Sequence, residues 1–189
     1  MRSLDLFLEK SKQISDPIVL ELGTYRSIPG RSTLHKSFVP HYKEYYGTDI
    51  FAGEDVDFIA DAHRLSQFTK KKYDIIISCS TFEHFKYPHL VAFEISKCLK
   101  IGGILYIQTH STFPLHSFPY DYFRFSTEAL SGLFGTKNGI EVVKSDYEFE
   151  CQIQSTYDGI HDAFLNTNLF GVKITETPKD YVYEFDIKL

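Results

Sequence analysis

The chain has no tryptophan, a single methionine and only three cysteines, Cys79, Cys98 and Cys151, odd in number and far apart. There is no Cys-x-x-Cys pair, so a structural zinc site is not expected, and no metal centre is expected elsewhere. Cys79 and Cys98 fall in apolar segments, where a reduced thiol acts as a small hydrophobe. Long apolar runs are also missing, and the N-terminal MRSLDLFLEKSKQ holds none, which excludes a membrane span. A soluble, reduced, cytoplasmic protein is the expectation. Nor is there an excess of basic residues. Twenty Lys and Arg against 25 Asp and Glu give a net charge of −5, which argues against a broad nucleic-acid surface. Repeats, linkers and low-complexity tracts are absent. At 189 residues with ordinary apolar and charged fractions, one domain over residues 1–189 is expected, with no bias toward disorder. The oligomeric state is not legible.

What is abundant is aromatic, 17 Phe and 13 Tyr, and what is organised is the stretch from Tyr73 to Thr109. Ile75-Ile76-Ile77 and Ile104 to Ile107 are two apolar runs of strand length. Between them Leu90, Val91, Phe93, Ile95, Cys98 and Leu99 recur at helical spacing, with Lys97 and Lys100 near the helix end and Gly102-Gly103 as its stop. Two apolar strands joined by a helical crossover predict a parallel sheet covered on both faces. Ligands of such sheets bind beyond the carboxyl ends of the strands, which is where Glu83-His84 falls.

The remaining elements follow from the same rules. A short amphipathic helix is predicted over residues 3–14 and a first strand over Ile18–Leu22. A loop and helix follow from Gly23 to about Phe38, then strands near Tyr45–Asp49 and Val56–Ala60. Lys70-Lys71-Lys72 reads as a solvated turn. The segment from Ser111 to Phe125, rich in Pro, His and aromatics, is too long for a plain crossover and reads as a lid. Ser126-Thr127-Glu128 opens a helix to Phe134, a strand covers 139–149, and the tail from Gly171 to Ile187 reads as an antiparallel hairpin around Pro178.

Several motifs in this order resemble the class I S-adenosylmethionine-dependent methyltransferases. Tyr73-Asp74, Glu83-His84, Pro88, Glu94, Lys97, Leu99, Lys100 and Gly102-Gly103 follow that family's FDxVxxxxxxEHxxxPxxxxxExxRxLKPGGxL pattern. Ile18 to Gly23 resembles its first motif, Gly47 to Ile50 its second-strand motif, and Ala60 to His63 its acidic loop. Downstream, HSFPYDYFRFSTEAL resembles the HxxPxDYWRFTPEGL segment of small bacterial methyltransferases, many of them tied to surface polysaccharides, with Phe123 where Trp is usual. The family's GxGxG loop is represented by Gly23 alone, and Tyr25 stands inside it. The resemblance implies a Rossmann-like α/β fold: a mostly parallel, twisted sheet with an antiparallel C-terminal edge strand and helices on both faces. It implies S-adenosyl-L-methionine as cofactor and a small-molecule or glycan-precursor acceptor, sugar O-methylation being the leading specific case.

Residue by residue, Asp49 at a strand tip suits a ribose diol, since a carboxylate accepts two hydrogen bonds; a turn-capping Asp is the plain alternative. Asp61 either caps a short helix or, as the resemblance implies, lies by the adenine with Ala62. Gly23 permits a sharp turn and close approach of the cofactor. Glu21 before it is implied to contact the loop or the methionine amine. Glu83-His84 could hold the cofactor, orient the loop or contact the acceptor, a satisfied structural pair being the plain alternative; Glu83 is assigned with the cofactor. His84, His116 and Asp121 are the candidate catalytic groups, a base being required for a hydroxyl acceptor. Asp121 paired with Arg124 to pin the lid is the alternative. Two other readings stay open: a methyltransferase-like binding protein without cofactor, and an NAD-dependent oxidoreductase, which the absence of GxGxxG weakens.

Overall fold

The computed structural model describes residues 1–181. Its elements run α1 (Ser3–Ser11), β1 (Ile18–Leu22), β2 (Glu44–Asp49), β3 (Phe58–Ile59), α2 (Leu65–Phe68), β4 (Tyr73–Cys79), α3 (Pro88–Cys98), β5 (Leu99–His110), α4 (Thr127–Leu133), β6 (Ile140–Ser155) and β7 (Gly159–Lys173). The seven strands form one sheet in the order β3-β2-β1-β4-β5-β7-β6. Strands β1 to β5 are parallel to one another, and β7 runs antiparallel between β5 and β6. The strand order reverses between β1 and β4, which opens a crevice at their carboxyl ends.

Burial on both faces explains the apolar runs. Ile75 and Ile77 point into one core with Phe7 of α1, Val19, Val39 and Tyr106. Ile76 points into the other, with Leu20, Leu22, Leu105 and the α2, α3 and α4 residues Leu65, Val91, Ile95 and Leu130. Pro88 begins α3 at a position whose backbone N–H has no helical partner anyway.

Four expectations need correction. No α-helix follows β1: from Gly23 to Tyr42 there is only a single 3-10 turn, Lys36–Phe38. Gly102-Gly103 does not end α3, which stops at Cys98; the pair lies in β5, where pairing with β4 slips between Tyr73 and Ile75 and Gly102 takes φ 80°. The third strand shrinks to two residues. Among the described residues the C-terminal antiparallel hairpin is β6 and β7; of the hairpin expected over 171–187, residues 174–181 form no strand and 182–187 lie outside the described residues. The Asn166-Thr167-Asn168 run resembles a turn, yet all three are buried in β7 because that strand has neighbours on both sides.

Beyond Asn166 the β6–β7 pair loses its β5 neighbour and continues as a two-stranded ribbon, with Ile153, Tyr157 and Ile160 exposed. Ile76→Ala in the central strand should therefore cost about 2–5 kcal/mol of stability, while Ile160→Ala at the ribbon tip should stay within about 0.5 kcal/mol. Urea unfolding of the two variants checks the contrast.

Candidate active site

The crevice is built from the strand ends upward. After β1 the chain turns at Gly23 with φ 79°, and its N–H donates to the Thr48 carbonyl at 2.9 Å. A Cβ there would stand 2.0 Å from Thr81 Oγ1, so glycine is required by the turn and by the β4 loop pressed against it. A cavity of about 530 Å³ opens beside it, lined by the ends of β1, β2 and β4, by residues 60–63 and, across the opening, by Ser117, Tyr120 and Tyr122 of the lid.

Gly23, Asp49, Asp61, Ala62 and His84 all line this cavity. Asp49 accepts from the backbone N–H groups of Tyr25 (3.0 Å) and Phe51 (3.1 Å), one on each carboxylate oxygen, which leaves each oxygen a further lone pair. Asp61 caps the short turn after β3 by accepting from His63 N at 3.0 Å and His63 Nδ1 at 2.8 Å. Burial raises its pKa, but the His63 hydrogen bonds outweigh that and hold it below the usual value. The capping reading of Asp61 is thus realised together with its place on the wall.

Glu21 does not line the cavity. Strand alternation turns it away from Leu20 and Leu22, and its buried carboxylate accepts from His35 N at 2.9 Å, lies 2.6 Å from His35 Nδ1 and is bonded by the Tyr45 hydroxyl. Its task is to pin the loop before β2. Glu83 is likewise off the cavity wall: it is fully buried, with Oε2 accepting from Thr109 Oγ1 at 2.7 Å. No donor is aligned with Oε1; the nearest nitrogen, His110 Nε2, lies 3.1 Å away.

The helix-free loop after Gly23 keeps its shape through Asp55, which sequence reasoning passed over because its partner Arg26 lies 29 positions away. Asp55 is 8% exposed, receives Arg26 in a two-point contact (3.0 and 2.8 Å) and accepts from Thr33 N at 3.0 Å. The Tyr25 ring packs edge-on against Phe51 at 5.8 Å and forms part of the cavity wall.

The lid is tied down at both ends and in the middle. Ser111 N donates to the Leu165 carbonyl, Phe125 N to the His110 carbonyl, and Tyr122 N and Phe123 N to the Glu83 carbonyl. Arg124 grips Asp121 at 2.6 and 2.9 Å and also donates to the Phe113 and Pro114 carbonyls. The Arg124 guanidinium holds the Asp121 carboxyl far below the ordinary range, which makes it a poor proton acceptor. His116 N donates to Asp121, and the His116 ring stands 4.8 Å from that of His84. His110, at the end of β5, stacks on Phe113 at 4.1 Å; burial lowers its pKa, with Glu83 opposing. Two of the three candidate catalytic residues, His84 and His116, therefore meet, and Asp121 holds one of them in place.

A model of the methyltransferase domain family matches residues 29–107, beginning beyond Gly23. A search of curated proteins found no match. Solved structures share the fold at low identity. A SAM-dependent methyltransferase from Archaeoglobus fulgidus has TM-score 0.65 and 16% identity, over 90% of this chain and 91% of that one. The N-methyltransferase NodS from Bradyrhizobium japonicum has TM-score 0.56 and 14% identity, over 91% and 94%. TehB from Haemophilus influenzae has TM-score 0.59 and 14% identity, over 89% of this chain but only 62% of TehB. Strand order, cavity position and domain match define a class I methyltransferase fold. The chain thus has the class I methyltransferase fold, and its residues 29–107 are similar to the methyltransferase domain.

The residues present suit the cofactor. The volume lies within the range of small-molecule sites, Asp49 keeps lone pairs for a diol, and Leu22, Ala60, Ala62 and Leu65 give an apolar floor. Asp49→Ala should weaken S-adenosylhomocysteine by roughly 1.5–3 kcal/mol in calorimetric titration with the fold retained. The Arg26 contact holds Asp55 down to about 2. A depressed folded-state value stabilises above the unfolded value of about 3.9 and loses that contribution as pH falls toward 2. Urea unfolding at pH 5, 4 and 3 should thus show a shallower acid loss in Asp55→Asn than in the wild type.

Proposed function

We propose that this chain is an S-adenosylmethionine-dependent methyltransferase and that it acts, in the cytoplasm, on a hydroxyl of a small ring-shaped acceptor of sugar or glycan-precursor type. The observation that carries the reading is the lid: Ser117, Tyr120 and Tyr122 face the cavity opposite Asp49 and Asp61, with His84 and His116 at the seam. Aromatic side chains and hydroxyls around a closed opening suit a ring with one apolar face and polar edges. A net charge of −5 favours such an acceptor over a polynucleotide. The sugar class is supported by the resemblance of the His116–Leu130 segment to glycoconjugate methyltransferases.

When bound, the cofactor supplies a sulfonium methyl open to in-line displacement, so the chain's tasks are alignment and exclusion of water. Asp49 accepts from the ribose hydroxyls, Asp61 and Ala62 border the base, and the Gly23 turn lets the chain pass close to the amino-acid part. His84 and His116 supply the polar atoms at the acceptor end, where a hydroxyl must shed its proton. Asp121 positions His116 through its backbone N–H. Glu83 acts on the acceptor side rather than on the cofactor, since its carboxylate faces His110 and its carbonyl holds the lid. The oxidoreductase reading is disfavoured by the helix-free stretch after β1, because a pyrophosphate needs the helix N-terminus there.

His116→Ala should leave S-adenosylhomocysteine affinity within about twofold and lower turnover by about 100- to 10,000-fold, the range for a group that handles a proton. The assay uses labelled cofactor against nucleotide sugars, phosphorylated sugars and lipid-linked glycans. Normal turnover in both His116→Ala and His84→Ala would leave the lid a structural element. A thermal shift with NAD but not S-adenosylhomocysteine would reverse the choice of cofactor.

A further inference from the structure

At the seam between cavity and lid, three side chains bring atoms of metal-ligating type together. Glu83 and His84, from the turn after β4, and His116, from the lid, each place one ligand-type atom so that all three lie within 4.8 Å of one another. Glu83 is fully buried, and its Oε1 receives no hydrogen bond. A buried carboxylate oxygen without a donor is destabilising unless a cation or proton faces it.

The two imidazoles are oriented for the same purpose. His84 Nδ1 lies 2.7 Å from the Tyr120 carbonyl, to which a ring nitrogen can only donate. In a neutral ring this leaves Nε2 as a lone pair, 3.8 Å from Glu83 Oε1. His116 Nδ1 faces the Pro114 carbonyl at 3.2 Å and the Asp121 carboxylate at 3.3 Å, which frees its Nε2 in the same way. Both rings thus have one nitrogen fixed by a carbonyl or carboxylate and the other open, the arrangement seen in histidines that hold metals. His110 repeats it, with Nδ1 on Asn166 Oδ1 at 3.2 Å and Nε2 3.1 Å from Glu83 Oε1.

We propose that Glu83, His84 and His116 bind one divalent first-row transition-metal ion. Ligand atoms about 2.0–2.1 Å from a tetrahedral ion stand roughly 3.4 Å apart. The 3.8 Å between Glu83 Oε1 and His84 Nε2 is close to that, and the 4.8 Å that bounds the three ligand atoms would have to shorten by up to about 1.4 Å, a side-chain adjustment. An imidazole-rich set with one carboxylate selects zinc, iron, cobalt or nickel over magnesium or calcium. His84 also lines the cavity, so an open coordination position faces the acceptor's side of it. An ion there would take an acceptor oxygen and lower the proton affinity of a hydroxyl, which selects hydroxyl acceptors over amines. That last consequence rests on the methyltransferase reading; the binding of the ion does not.

The test uses the whole chain, stripped with EDTA and titrated with ZnCl₂ by calorimetry and with CoCl₂ by visible spectroscopy. The expected result is one saturable equivalent, with cobalt bands of a low-symmetry nitrogen–oxygen site. Glu83→Gln and His116→Ala should each lower zinc affinity by more than about 100-fold, beyond the loss for an outer-shell group. His161→Ala, which removes an exposed His161–Asp158 pair on the ribbon, should leave it unchanged. If Glu83→Gln fails to fold by circular dichroism, His116→Ala on the lid carries the comparison. The absence of saturable zinc binding, or binding that both variants leave intact, overturns the proposal. S-adenosylhomocysteine titrated into the same samples keeps the two readings apart. Cofactor binding without zinc binding sinks the metal site alone, and zinc binding without cofactor binding supports the metal site while sinking the methyl-transfer reading.

Discussion

The lid side of the cavity depends on one buried carboxylate. Glu83 sits in the turn after β4, its Oε2 reaches Thr109 on β5, and its backbone carbonyl receives the lid through Tyr122 and Phe123. Strand end, neighbouring strand and lid are therefore tied at a single residue that water does not reach. Its second oxygen faces histidines instead of donors, which makes the same residue both an anchor and an unmet electrostatic demand. A fold that only needed to pin a loop could do so with a neutral amide, so the carboxyl placed here at full burial is the feature to explain.

The cofactor side rests on a different device. Class I sheets usually follow β1 with a helix, and here a loop takes its place, held by Arg26 and Thr33 converging on Asp55 and by Tyr25 N on Asp49. Tyr25 stands where glycines would let the chain hug the cofactor, yet its ring leans onto Phe51 and the cavity stays open. The reduced glycine content is thus compensated by a salt-bridged loop rather than by a helix terminus. Half of the cavity wall accordingly depends on electrostatics, and the other half on the apolar packing of β1, β4 and α2.

The two devices meet at His84, which lines the cavity and touches the lid through the Tyr120 carbonyl. Asp121 and Arg124 then fix His116 opposite it without themselves facing the reacting region. Positioning groups and polar groups are separated in this way: strongly paired charges hold the backbone, and the imidazoles of His84 and His116 keep one nitrogen each less tightly engaged.

Much of this was legible in the residues. Apolar strands at Ile75–Ile77 and Ile104–Ile107, the intervening helix and the glycine turn after β1 follow from periodicity and backbone preference, which act over a few neighbouring positions. Asp49, Asp61, Ala62 and His84 could be placed at strand ends for the same reason, and all four line the cavity. What sequence could not decide was anything that depends on contacts far apart in the chain. Glu21 turned away from the cavity because His35 and Tyr45 waited on the other face. Asp55 became an anchor only when Arg26 reached it, and Asn166-Thr167-Asn168 became buried strand only because β5 and β6 flank it. Glu83 and His116 are 33 positions apart, and their meeting is set by a lid folded back over a strand end. Local propensity fixes how each segment is built; which side chains face one another is decided by packing, whose partners no short window of sequence contains.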